Sequence, residues 1–203
     1  KHTGGWNQAP AAVTNLLKSL SRESGMRVST DRRDVSLTDE RLYDYHLVFM
    51  HGRHDFRLSE AERIRLRTFL ERGGMLFADS ICGSPEFASA FRREMEAVWP
   101  QARLERIPIE HPIFTQACGG FDLPTVSRRD PQRVGADQPL KSGVRQVEPD
   151  LDGIKIGDRY GVIFSKYDLS CALENHASPD CRGYTTEDAA RLGINVVLYS
   201  LHD

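Results

Sequence analysis

The chain has no apolar run approaching the ~20 residues that a bilayer-spanning helix needs, and it opens on no signal-like leader. It therefore reads as a soluble chain without a membrane span of its own. It also has no excess of one charge: 27 Lys and Arg stand against 29 Asp and Glu, for a formal charge of -2 and a pI of ≈ 6.4. A general affinity for nucleic acid or an anionic membrane is thereby disfavoured. The arginines gather at Arg32 and Arg33, along Arg63, Arg65 and Arg67, and at Arg92 and Arg93, but Glu60, Glu62, Glu94 and Glu96 are interleaved with them, the pattern of a solvated helix face. Only four cysteines are present, Cys82, Cys118, Cys171 and Cys181, with no C-x-x-C pair. They are too sparse for a disulfide framework, and the redox compartment stays open. No initiator Met precedes Lys1, no internal repeat appears and no linker divides the chain. The expectation is one domain, residues 1–203, excised from a longer polypeptide.

With 203 residues, 39% of them hydrophobic, there is enough interior for a core without disulfide or metal staples. From Pro10 to Ser24, Val13, Leu16, Leu17 and Leu20 recur at helical spacing, with Gly25 suited to the C′ position. Met26 to Ser29 alternates as a short strand, and Asp34 to Tyr43 reads as a short helix or turn. Leu47 to Met50 and Met75 to Ala78 are continuous apolar runs, the signature of strands covered on both faces. Between them, Ser59 and Glu62 form a capping box for a helix that closes at Gly73-Gly74. Ser84 and Pro85 suit the N-cap and N1 of the next helix, which stops at Pro100. This alternation predicts an α/β fold with a mostly parallel, doubly wound sheet. Leu104 to Ile109 suggests another strand, and residues 115–153 read as an irregular insertion. Ile154 to Ile156, Tyr160 to Phe164 and Leu169 to Leu173 read as paired strands, and Ala189 to Leu201 as a last helix capped by Thr185 or Thr186.

In an open α/β sheet, ligands bind beyond the carboxyl ends of the strands. Two loops leave buried strands there, His51-Gly52-Arg53-His54-Asp55 and Asp79 to Ser84, and Lys166 to Cys171 supplies a third. One reading is a metal site in which His51, His54, Cys82 and Cys171 offer the Cys and His ligands preferred by a transition metal such as zinc. A rival makes Cys82 a nucleophile on the turn between a strand and a helix N-terminus, where a thiol pKa falls, with His51, His54 or His111 as base. Ser80 rather than Gly two residues before the thiol departs from the nucleophile-elbow pattern. Against both stands the reading of loop histidines and a packed, inert thiol. Cys171 and Cys181 are close enough in sequence to bridge in an exported protein, or to remain free. Gly4-Gly5-Trp6-Asn7 reads as a turn with an aromatic plug, and Asp168 and Glu174 as ordinary loop and strand-end charges.

Taken as an ordered set, Gly4-Gly5-Trp6, Tyr43-Asp44-Tyr45, Leu58 to Glu62, Gly73 to Asp79, Phe91 to Met95, His111 to Phe114 and Leu192 to Val197 resemble the bacterial domain-of-unknown-function family 4159. The resemblance covers nearly the whole chain. It implies a fold similar to class I glutamine amidotransferases and trehalose-utilisation-like domains, and a periplasmic or envelope-associated setting. It implies no reaction, and amidotransferase chemistry does not carry over, since the elbow glycine is missing and no late His-x-Glu pair is present to activate Cys82. Two functions stand as expectations: an accessory or ligand-binding domain of an envelope-associated protein, or an enzyme dependent on a metal or on Cys82. A protein partner, or the remainder of the longer polypeptide, is the expected associate.

Overall fold

A computed structural model describes residues 1–133, 135, 138–176 and 178–202. Helix α1 (Ala12–Ser24) ends at Gly25, whose left-handed φ of 70° closes the last turn. An extended segment without regular structure leads to a 3₁₀ turn at Glu40–Asp44, capped by the Asp39 side chain, and then to β1 (Leu47–Gly52). The capping box of Ser59 and Glu62 forms as the sequence predicts and starts α2 (Glu60–Glu71), which leads to β2 (Met75–Ser80), buried at every position. Ser84 accepts the Phe87 amide at the head of α3 (Pro85–Val98). There follow β3 (Glu105–Arg106), β4 (Val126–Gln132), β5 (Lys141–Val147), β6 (Asp152–Ile156), β7 (Arg159–Ser165), the single turn α4 (Ser170–Leu173), β8 (Gly183–Tyr184) and α5 (Thr186–Ser200).

The architecture is α/β, built on two sheets. The larger has the order β1-β2-β7-β6-β3, and the smaller is β5-β4-β8. Strands β1, β2 and β7 run parallel, whereas β6 and β3 join antiparallel, so the large sheet is mixed rather than mostly parallel. The cause is local: only Gly157 and Asp158 separate β6 from β7, and a connection that short permits only a hairpin.

Both faces of β2 and β7 are covered, as their uninterrupted apolar character requires, whereas Leu47 to Met50 of the edge strand β1, expected to be buried, stay half-buried. On one face Met75, Phe77 and Ile163 pack with Leu16 and Leu20 of α1 and Leu192 and Val196 of α5. On the other Leu76, Ala78, Val162 and Phe164 pack with Leu66 and Phe69 of α2 and Phe87 and Phe91 of α3. Together these buried side chains form the two cores that hold the strand ends in place.

Four local expectations are corrected. Met26 to Ser29 forms no strand, because the segment finds no ladder partner. The strand expected over Leu104 to Ile109 is only two residues long. Leu169 to Leu173 is not a strand but the turn of α4, for reasons given below. The insertion is more regular than its composition suggests: β4 and β5 form an antiparallel hairpin paired over seven residues on each strand, which adds β8 at its other edge. The part of the insertion at Val134, Ala136 and Asp137 lies outside the described residues.

Candidate functional site: a three-thiol cluster at the strand carboxyl ends

The parallel register places His51 beside Asp79 and Gly52 beside Ser80, and then Asp79 beside Ser165 on β7. The loops after β1, β2 and β7 therefore leave the sheet side by side on one rim, the placement the sequence reading requires. What they bring together is a cluster of sulfur and carboxylate atoms: one ligand atom each from Cys82, Asp168, Cys171 and Cys181, all within 4.8 Å of one another. The Cys82 and Cys171 sulfurs are 3.8 Å apart.

Two buried aspartates build this rim. Asp79, at the end of β2, accepts the amides of Leu169 (2.9 Å) and Ser170 (2.8 Å). Asp168 accepts those of Cys171 (3.2 Å) and Ala172 (3.0 Å). These are the four N–H groups that a helix start leaves without partners, and satisfying all of them is what turns Ser170–Leu173 into a helical turn. Asp168 also accepts the Cys82 amide at 2.8 Å, so one carboxylate fixes the backbone of two of the three thiols. The third follows from β8: the Asp168 amide donates to the Arg182 carbonyl and the Tyr184 amide to the Asp168 carbonyl, seating Cys181 beside the others. Burial raises the pKa of both aspartates, and for Asp79 the proximity of Asp168 adds to it.

Cys82 sits in the left-handed region, with φ 54° and ψ 20°. For a residue with a Cβ that conformation costs about 1–2 kcal/mol. Gly83 follows with φ +66°, and a Cβ there would stand 2.8 Å from the Arg182 carbonyl, so the second position of the turn requires glycine. The turn directs Cys82 toward a polar cleft of about 510 Å³ lined also by Arg53, His54, Asp180 and Arg182. Hydrogen bonding from Cys171 and then Cys181 lowers the Cys82 pKa. The Cys171 pKa is raised, first by its contacts with Cys181 and Cys82 and then by burial. At Cys181 the contact with Cys171 pulls downward, but Cys82 and burial outweigh it and the net direction is upward.

Of the four sequence-predicted ligands, the structure brings Cys82 and Cys171 together, turns His51 to other partners, and leaves His54 on the wall of the cleft outside the sulfur cluster. His51 is buried, with Nε2 2.8 Å from the Trp6 carbonyl and Nδ1 2.9 Å from the Ser170 hydroxyl. A carbonyl only accepts, so Nε2 carries the proton; burial lowers the His51 pKa, and the neutral ring accepts from Ser170 through Nδ1. His54 is exposed and bonds the Gln8 amide at 3.0 Å. His111 lies beside Tyr160 at the amino end of β7, at the opposite end of that strand from the thiols. Sequence reasoning missed Asp168, which reads as a loop charge but is 1% exposed, and did not join Cys181 to Cys82. The available signal was Asp168-Leu169-Ser170-Cys171, an acidic cap set directly before a cysteine.

Compared with known protein families, residues 1–201 match the family described as a domain of unknown function (DUF4159), and the chain belongs to that family. No curated protein matches it.

Proposed function

We propose that this chain is a metal-binding α/β domain in which Cys82, Cys171 and Cys181 hold one ion of the zinc class, Asp168 positions the thiols, and the cleft at Cys82 admits the ligand. The carrying observation is the spacing of the sulfurs. At a Zn–S distance of about 2.3 Å, two corners of a regular tetrahedron stand about 3.8 Å apart, and Cys82 and Cys171 are separated by 3.8 Å. A disulfide would need about 2.05 Å, and three thiols gathered with a carboxylate within 4.8 Å offer the soft donor set that zinc prefers. Asp168 already accepts three amides, so its part is to orient the ligands rather than to complete their number.

In this reading the parallel strands with helices on both faces form a doubly wound, amidotransferase-like frame. The domain serves as a ligand-binding accessory of an envelope-associated bacterial protein, without amidotransferase activity. Metal content, measured after purification without a metal-affinity tag, tests it. One ion per chain is expected, lost in Cys82→Ser, Cys171→Ser and Cys181→Ser and retained in His54→Ala. A metal-free protein, or an ion retained in all three cysteine variants, contradicts it.

The left-handed backbone and lowered pKa of Cys82 favour one second reading, a nucleophilic thiol facing the cleft. Alkylation separates the two. A bound ion shields Cys82 until a chelator is added, whereas a free nucleophile reacts at once and at the same rate with chelator present.

A further inference from the structure

The floor and the walls of the polar cleft carry different chemistry. Among the described residues, Cys82 is the one thiol of the three that lines it, and Cys181 is buried. Both oxygens of Asp168 are taken, Oδ1 by the amides of Cys82 and Cys171 and Oδ2 by that of Ala172. An ion held by three sulfurs therefore keeps one tetrahedral position without a protein donor, on the Cys82 side, where the cleft opens. Three thiolates give such a site a net negative charge and a soft character that favours sulfur over water as the fourth donor. The walls supply charge of both signs, Arg53 and Arg182 with Glu86 and Asp180. The cations are loosely engaged. Arg53 reaches Asp180 at 3.6 Å, both side chains being about half exposed. Arg182 meets Asp130 through Nε at 3.1 Å, but that carboxylate also holds Arg128 and Arg145, so three guanidiniums share one negative charge. The Ser84 hydroxyl donates to the Arg53 carbonyl at 2.6 Å and fixes the backbone from which Arg53 reaches the cleft.

We propose that the cleft takes a small peptide-like anionic thiol, whose sulfur fills the fourth position on the ion and whose carboxylate is clamped by Arg53 and Arg182; the inference rests on the metal reading above. On binding, the ligand S–H gives its proton to solvent and a sulfur–metal bond replaces a bond to water, so no oxidant or reductant is consumed. A carboxylate between the two guanidiniums offsets the positive charge left over around Asp130 and displaces only the long Arg53–Asp180 contact. Glu86 and Asp180 suit an ammonium group on the same ligand, which favours an aminothiol acid over a simple thiol acid. The volume of about 510 Å³ falls in the range of small-molecule sites and leaves room for a short peptide.

The test adds reduced glutathione to the zinc-loaded chain and reads the zinc-edge absorption spectrum together with a calorimetric titration. The first shell should rise from three sulfurs to four at about 2.3 Å. Glutathione should bind at least about tenfold more tightly than S-methylglutathione, which has no thiol to ionise, and than cysteamine, which has no carboxylate. Arg53→Ala and Arg182→Ala should each weaken glutathione by about tenfold while keeping the three-sulfur shell. A chain that holds no zinc through three sulfurs overturns the metal reading and this inference with it. A three-sulfur shell that glutathione leaves unchanged, zinc lost to the added thiol, or equal binding of glutathione and cysteamine overturns this inference alone. Should an arginine variant lose its zinc, the cysteamine comparison on the native chain decides.

Discussion

The carboxyl rim of the parallel strands and the β4–β5 hairpin treat charge in opposite ways. At the rim Asp79, Asp168, Ser170 and His51 are all 5% exposed or less, and every one is hydrogen-bonded to another part of the chain. On the hairpin, Asp130 gathers Arg128, Arg145 and Arg182, with Arg145 and Arg182 more than half exposed. Exposed ion pairs contribute little because water competes for both partners, while a buried carboxylate that loses its role leaves orphaned amides in a medium that cannot solvate them. The difference locates the commitment of this fold. Polar groups are desolvated where three thiols must be held in register, whereas on the hairpin only the Arg128–Asp130 pair is withdrawn from water and the outer arginines stay solvated.

Asp168→Ala breaks this contrast most severely. It orphans the amides of Cys82, Cys171 and Ala172 and should cost on the order of 4 kcal/mol in urea unfolding. A loss below about 1 kcal/mol would make the rim no different from the hairpin. Next comes removal of the ion. A site holding metal at one hundred times its dissociation constant contributes about 2.7 kcal/mol, so a chelator should lower the melting temperature of the native chain and leave Cys171→Ser unmoved. Ser84→Ala follows, since this hydroxyl accepts the Phe87 amide and donates to the Arg53 carbonyl at 2.6 Å. Its loss should cost about 1–2 kcal/mol, measurable by thermal melting. Arg145→Ala on the hairpin should be smallest, within about 0.2–1 kcal/mol.

Acidity sharpens the same comparison. Burial lowers the His51 pKa below its ordinary value of 6.5. The folded protein thus binds this proton less readily than the unfolded chain does, so the contribution of His51 is complete above pH 6.5 and declines as pH falls toward the folded value. Urea titrations between pH 7.5 and pH 5 should show stability falling with pH, with a flatter slope in His51→Gln. Asp79 and Asp168 act with the opposite sign: their raised pKa values favour the fold at low pH and erode that gain as they ionise above the ordinary value of 3.8.

Much of the frame was legible from the chain because its signals are local. The capping box at Ser59 and Glu62, the Ser84-Pro85 helix start and the apolar runs of β1 and β2 each fix an element within a few residues, and all form as read. The antiparallel half of the sheet was harder to read, because it hinges on a two-residue connection at Gly157. For the site, the meeting of the loops after β1 and β2 followed from the rule for parallel strands, and so did Cys82 and Cys171. Asp168 was legible only as the cap of the turn it precedes, and Cys181 was not legible, since its place depends on β8 docking against the 168 loop, a contact that no local pattern encodes. His51 was misread for a related reason: a buried imidazole with partners at both nitrogens looks, in sequence, like a free ligand.

The most direct test of the account is the zinc-edge X-ray absorption spectrum of the native protein purified without a metal-affinity tag. Three sulfur scatterers at about 2.3 Å are predicted, with the zinc edge itself lost in Cys181→Ser. A first shell dominated by imidazole nitrogen, or a protein that binds no zinc when all three thiols are reduced, would contradict it.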